Sequence, residues 1–187
     1  HPPIDDDGPP QGAPQGGPPG MFNAPQSTAN DDASLPAGTV VVTLRDGEGN
    51  PLPKAPLTVA VLRSSVAKGD QPPQLLTRTT DDQGVVRLDE LPVGTSTSFR
   101  VTTQRGSATY EAPPFTLGDR AGKRVTLHAF EVTSNIERTT VGMQGAVYIQ
   151  LKEDALSVQQ YFGVVNMGKT AWAPEDLVVA LPEGFRA

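Results

Sequence analysis

Thr79-Thr80-Asp81-Asp82-Gln83-Gly84-Val85-Val86-Arg87-Leu88-Asp89-Glu90-Leu91-Pro92-Val93-Gly94 decides the fold. It reads as a tight turn, a short strand and a second turn. Asx side chains bond to the backbone just ahead of them, and Gly84 accepts positive φ, so Asp81 to Gly84 reverses the chain. Val86 and Leu88 point one way and Val85 and Arg87 the other, the period of a half-buried strand. Leu91 plugs inward, and Pro92 to Gly94 turns the chain again.

Strands can be laid out on both sides of this stretch. Upstream, Val40, Val42 and Leu44 alternate with Val41, Thr43 and Arg45, and Asp46 to Pro51 is a turn. Leu57, Val59 and Val61 mark a second strand, and Ser64 to Gln74 is a polar loop. Leu75 to Thr80 is a Thr-rich strand suited to a sheet edge. Downstream, Phe99, Val101 and Thr103 alternate with Arg100, Thr102 and Gln104. Arg105-Gly106 turns into Ser107 to Glu111, and after Pro113-Pro114 a loop leads to Arg124 to Val132. That is about seven strands, with a turn signal every ~8–12 residues, the spacing of an Ig-like sandwich. The expected fold class is all-β, an Ig-like or transthyretin-like β-sandwich, with no stretch at helical spacing.

Residues 38 to about 132 resemble a carboxypeptidase regulatory-like domain. This is a transthyretin-like β-sandwich family that neighbours the collagen-adhesin B-type repeats. The resemblance is carried by Gly38, by Asp46, Gly49, Pro51 and Leu52, and by Thr80-Asp81, Gly84, Leu88, Leu91-Pro92 and Gly94. The family usually places an aromatic soon after that last glycine; here Thr95 stands there and Phe99 follows later. The resemblance implies a spacer, docking or carbohydrate-binding-like module on an exported bacterial protein. Some adhesin relatives carry a Lys–Asn isopeptide bond. The first strand here offers only Thr43 and Arg45, and Lys54 lies in a turn, so Asn135 has no suitably placed lysine.

The flanks differ in character. Residues 1–37 are mostly Pro, Gly, Gln, Asn and Asp, with Ile4, Met21, Phe22 and Leu35 as the only large apolar residues. Such a segment buries too little surface to offset its ordering entropy, so it is expected to be a disordered linker or stalk. Residues 134–187 form a second β-rich segment. Val147, Ile149 and Leu151 alternate with Tyr148, Gln150 and Lys152. Val158, Gln160, Phe162 and Val164 alternate with Gln159, Tyr161, Gly163 and Val165. Leu177 to Leu181 is expected as a third strand. Three strands barely form a stable unit alone. This segment is therefore either incomplete or packed on the first sandwich.

The net charge of −6 argues against nucleic acid, whose phosphates an acidic surface repels. No apolar run approaches the ~20 residues of a membrane helix. With no cysteine the chain has no disulfide, thiolate site or lipidated cysteine. The chain opens on His1, which reads as the product of a removed signal peptide or as a cut within a longer chain. Export to the periplasm, outer surface or medium is the expected localisation.

Candidate sites are few. There is no Gly-x-Ser-x-Gly elbow and no His-Glu-x-x-His helix. Asp5-Asp6-Asp7 lacks the spacing of an EF-hand loop. Asp81 and Asp82, with Asp46 and Glu48, are read as turn formers rather than calcium ligands. His1 could chelate copper with His128 as partner, but Pro2-Pro3 follow it, and alternation puts His128 on the outer face of its strand. Trp172 and Tyr161 are candidate ligand contacts, because sugars stack on exposed aromatic faces. Alternatively, Trp172 and Phe162 form a small core. No cofactor or metal is expected. The leading expectation is a non-catalytic module that contacts protein or acts as a spacer, in one version through an exposed sheet edge; the alternative is a carbohydrate-binding module.

Overall fold

The structure is a computed structural model describing residues 24–65, 69–70, 72–151, 156–178 and 180. Among them are fourteen strands and one 3-10 turn, Ile136–Arg138, with no α-helix. The strands are β1 (Thr28–Asp32), β2 (Val40–Arg45), β3 (Pro56–Ser65), β4 (Gly69–Asp70), β5 (Gln74–Thr79), β6 (Val85–Leu88) and β7 (Gly94–Arg105). They continue as β8 (Ala108–Glu111), β9 (Phe115–Leu117), β10 (Gly122–His128), β11 (Glu131–Thr133), β12 (Val141–Leu151), β13 (Leu156–Asn166) and β14 (Thr170–Trp172).

Two sheets make a β-sandwich. One runs β1-β10-β2-β6, with β10 parallel to β2 and the other pairs antiparallel. The other is built on the long antiparallel pair β3 and β7. On one side β3 takes β5 and, at its end, β4; on the far side β7 takes β8 and β9.

The alternating residues meet between the sheets. Val40, Val42, Leu44, Val86, Leu88, Val125 and Leu127 face Leu57, Val59, Val61, Phe99 and Val101 in one buried cluster. Phe99 stacks on Phe115 at 5.5 Å between ring centroids, which fills the middle of a core short of aromatics.

The deciding stretch folds as its turn chemistry requires. The Asp81 Oδ1 accepts the backbone N–H groups of Gln83 and Val85 at 2.8 and 2.9 Å. Gly84 sits at φ +71°, with Leu44's carbonyl 2.7 Å from where a Cβ would be. Thr80, buried, donates through Oγ1 to the Leu52 carbonyl at 2.7 Å and accepts the Ala55 N–H at 2.9 Å. The strand is thereby tied to the turn after β2.

Four strands escape the sequence reading: β1, β9 and the short β4 and β14. Residues 28–32, assigned above to the tail, form β1, which pairs antiparallel with β10. Their sequence has no apolar alternation; backbone pairing and two ion pairs hold the strand instead. Lys123 Nζ meets Asp31 at 2.7 Å and Arg124 Nη2 meets Asp32 at 2.8 Å. Ala24 and Leu35 are buried on either side of it. The boundary at 37 is therefore corrected for residues 24–37; residues 1–23 lie outside the described residues. The second is β9, read above as loop, in which Phe115 and Leu117 are buried.

In the C-terminal segment the two long expected strands form and the expected third does not. The segment does not lay its long strands on the sandwich. Among the described residues β12 and β13 pair only with each other. Leu177 and Val178 are not in a strand and are largely exposed. Residues 179 and 181 of the expected third strand lie outside the described residues.

Candidate functional site

A small knot of strands fastens the hairpin to the sandwich. β11 runs parallel to β14, with Val132 opposite Ala171. Thr139 donates through Oγ1 to the Thr170 carbonyl, and Met167 N–H to the Thr140 carbonyl at 2.8 Å. The knot sits on the turn after β2. Lys169 Nζ meets Glu48 at 2.8 Å, and Tyr110 donates its hydroxyl to the Phe130 carbonyl at 3.0 Å. Burial pushes the Tyr110 hydroxyl pKa up, partly opposed by Arg105.

From this base β12 and β13 run out as an antiparallel hairpin of eleven residues per strand. Neither strand contains a charged residue or a proline. Natural sheet edges usually carry such residues to prevent pairing with another chain. None of their residues is buried.

Alternation splits the hairpin into two unlike faces. The register places Met143 opposite Val164, Ile149 opposite Val158 and Leu151 opposite Leu156, with Val147 and Phe162 on the same side. This face is apolar except for Gln160, opposite Val147, and Asn166 at its base. Met143 is 74% exposed, Ile149 65% and Leu151 82%. Seven of its large apolar residues are between 42% and 82% exposed, a patch of several hundred Å², on the scale of the largest apolar patch (~300–600 Å²) of a typical monomer.

The opposite face carries Gln144, Tyr148, Gln150, Gln159 and Tyr161. Tyr148 and Tyr161 meet edge to face at 5.6 Å, and the Tyr161 hydroxyl donates to Gln159 Oε1 at 3.3 Å. With Ile149, Gln150 and Ser157 they line a depression of about 270 Å³.

The residues singled out in the sequence do not converge. Tyr161 is half exposed on the glutamine face. Trp172 is half-buried in β14 and donates its indole N–H to the Ser134 carbonyl at 3.1 Å. Phe162 is 53% exposed on the apolar face, so the small core of Trp172 and Phe162 does not form.

His128 does lie across its strand from the buried Val125 and Leu127, but it is not a surface residue. Residues 24–27 and the turn after β2 cover it, leaving 9% of it accessible. Its Nδ1 is 3.2 Å from the Asp46 carbonyl, and its backbone N–H donates to Ser27 Oγ at 3.0 Å. It lines a cleft of about 370 Å³ with Pro25, Tyr110, Pro113, Phe130 and Asn166. His1 and Asp5 to Asp7 lie outside the described residues.

The acidic turn residues have ordinary tasks. Asp46 Oδ1 accepts the N–H groups of Glu48 and Asn50 at 2.8 and 2.9 Å. Burial alone would raise its pKa, but these bonds and the Asn50 side chain outweigh it and hold the carboxyl below its ordinary value. Lys54 pairs with Asp82 at 3.6 Å on the surface, while Asn135 caps the 3-10 turn through the Glu137 N–H at 2.9 Å. Among the described residues no three His, Asp or Glu side chains gather at metal-binding distance. Among the described residues no helix is long and apolar enough to cross a membrane.

Compared with protein-family models and with curated proteins, the chain matches none.

Proposed function

We propose that the chain is a non-catalytic contact module of the cell envelope of a bacterium, in which a β-sandwich carries an apolar hairpin face that binds protein. The observation that carries this reading is the hairpin itself: a two-stranded sheet with no charged residue in either strand and one largely apolar side, fastened to the β-sandwich through β11 and β14. A lone two-stranded hairpin is marginal in water, so a face of this kind works covered.

The finer fold reading is a carboxypeptidase regulatory-like domain. Its support is that the marker residues carry structure. Thr80, Asp81 and Gly84 build the deciding turn, and the Leu91 N–H donates to the Gly38 carbonyl at 2.9 Å. The Pro- and Gly-rich composition of the first residues supports export on a stalk.

The test is chemical protection in the cell that makes the protein. Because the chain has no cysteine, Ile149→Cys and Gln150→Cys each place one thiol, on opposite faces of the hairpin. The reading expects slow maleimide labelling at 149 and fast labelling at 150. Equal, fast labelling at both positions overturns it.

A second reading rests on the other face. Two tyrosines beside several glutamine amides are groups that stack on and hydrogen-bond a sugar ring. Glycan-array binding lost in Tyr161→Ala, with Trp172→Ala as comparison, supports it; an array without signal excludes it.

A further inference from the structure

We propose that the occupant of the apolar hairpin face is the same face of a second copy of this chain, packed face to face about a two-fold axis. The inference rests on the contact-module reading and names the partner.

Three observations select a second copy. First, the size fits: seven large apolar residues, each 42–82% exposed, give a face of several hundred Å², on the scale of the ~800 Å² that each partner buries in a standard interface. Second, the charge fits. Each chain carries −6, so two copies repel unless they meet where neither is charged. The two strands of the hairpin are such a surface, with no Asp, Glu, Lys or Arg in either. A partner chosen by charge would find nothing there to read. Third, the shape suits self-packing. A two-stranded sheet with one apolar side becomes a two-layer sandwich when a copy is laid on it, which is how sheets of this pattern normally bury themselves. In a two-fold arrangement Val147, Ile149 and Phe162 of one copy meet the same set on the other.

The contact has a distinctive salt response. Its apolar part is insensitive to screening, whereas repulsion between the two acidic bodies is not. Added salt therefore tightens the association, opposite to a contact held by ion pairs.

The experiment is sedimentation equilibrium of the full chain from about 1 to 200 μM, in the range where interfaces of this size begin to associate. A dimer is expected, strengthened by salt and weakened at least about tenfold in Ile149→Asp. Gln150→Asp, on the opposite face, is expected to dimerise within about threefold of wild type, allowing for the added charge. As a second readout, oxidised Ile149→Cys or Val147→Cys forms an intermolecular disulfide faster than Gln150→Cys. A wild-type chain monomeric throughout overturns the inference. So does a dimer that Gln150→Asp weakens as much as Ile149→Asp does. If the purified chain is monomeric while Ile149→Cys is protected in the cell, this inference fails and the contact-module reading stands. If neither position is protected in the cell, that reading fails too.

Discussion

The Cα of Gly47 lies directly under the carbonyl of Lys169, so that a Cβ on residue 47 would stand 2.2 Å from that oxygen and 2.9 Å from the Phe130 ring. Residue 47 belongs to the turn after β2, and Lys169 to the knot that bears the hairpin. The first turn of the sandwich is thus the seat of the C-terminal segment. Gly47→Ala has no room there and must displace backbone. The expected result is a loss of about 1–3 kcal/mol, as for other overpacked sites, with faster amide exchange in β14 while the β2 and β10 amides stay protected. By contrast Lys169→Ala, which removes only the exposed ion pair to Glu48, is expected to cost under ~1 kcal/mol.

Thr80 fastens the deciding turn. Its hydroxyl serves one donor and one acceptor of the backbone, at Leu52 and Ala55, in a buried position. Thr80→Val keeps the shape and strands both groups. A loss of about 1–3 kcal/mol is expected in urea unfolding, and Thr80→Ser is expected to retain most of it. A loss in Thr80→Ser with Thr80→Val close to wild type would trace the effect to the methyl group instead.

The stacked rings of Phe99 and Phe115 set the scale for the core. Phe99 is fully buried between the sheets. Phe99→Ala is expected to lower unfolding free energy by about 3–5 kcal/mol, and Phe99→Leu by less, since Leu refills part of the space. Calorimetry or urea titration reads both.

Acid should weaken the fold. Hydrogen bonds from Ser34 hold the Asp32 carboxyl below its ordinary value, and hydrogen bonds from Arg87 and then Thr39 do the same for Asp89. At Asp46 burial works the other way, but its turn bonds prevail and the net shift is again downward. A carboxyl whose pKa is lower folded than unfolded contributes stability above its unfolded value, near 3.9, and loses it as pH falls through the folded value. The thermal midpoint is therefore expected to be nearly flat from pH 8 to 5 and to drop below about pH 4. A midpoint that rises on acidification contradicts these shifts.

What the sequence disclosed depended on how each strand is held. β2, β3, β6 and β7 bury every second side chain between the sheets, so an every-other-residue rhythm marks them. β1 buries none of its residues and is held by main-chain pairing and by Lys123 and Arg124, neighbours more than ninety positions away. No local pattern encodes such a strand. β9 is three residues long, too short for a period to register. His128 was placed on the correct side of its strand, but its cover comes from residues 24–27, whose composition resembles the tail. The hairpin strands were also legible, because Met143, Val147 and Ile149 alternate with Gln144, Tyr148 and Gln150. Their lack of cover within the described residues was not: alternation reveals that a face is apolar, not what lies against it.

The contact itself is read most directly by filtered nuclear Overhauser spectroscopy on a mixture of methyl-labelled and unlabelled copies. A two-copy contact through the apolar face predicts intermolecular signals from the methyl groups of Val147, Ile149 and Leu151, and none from the rings of Tyr148 and Tyr161. Signals from the tyrosine rings alone, or no intermolecular signal at millimolar concentration, would contradict it.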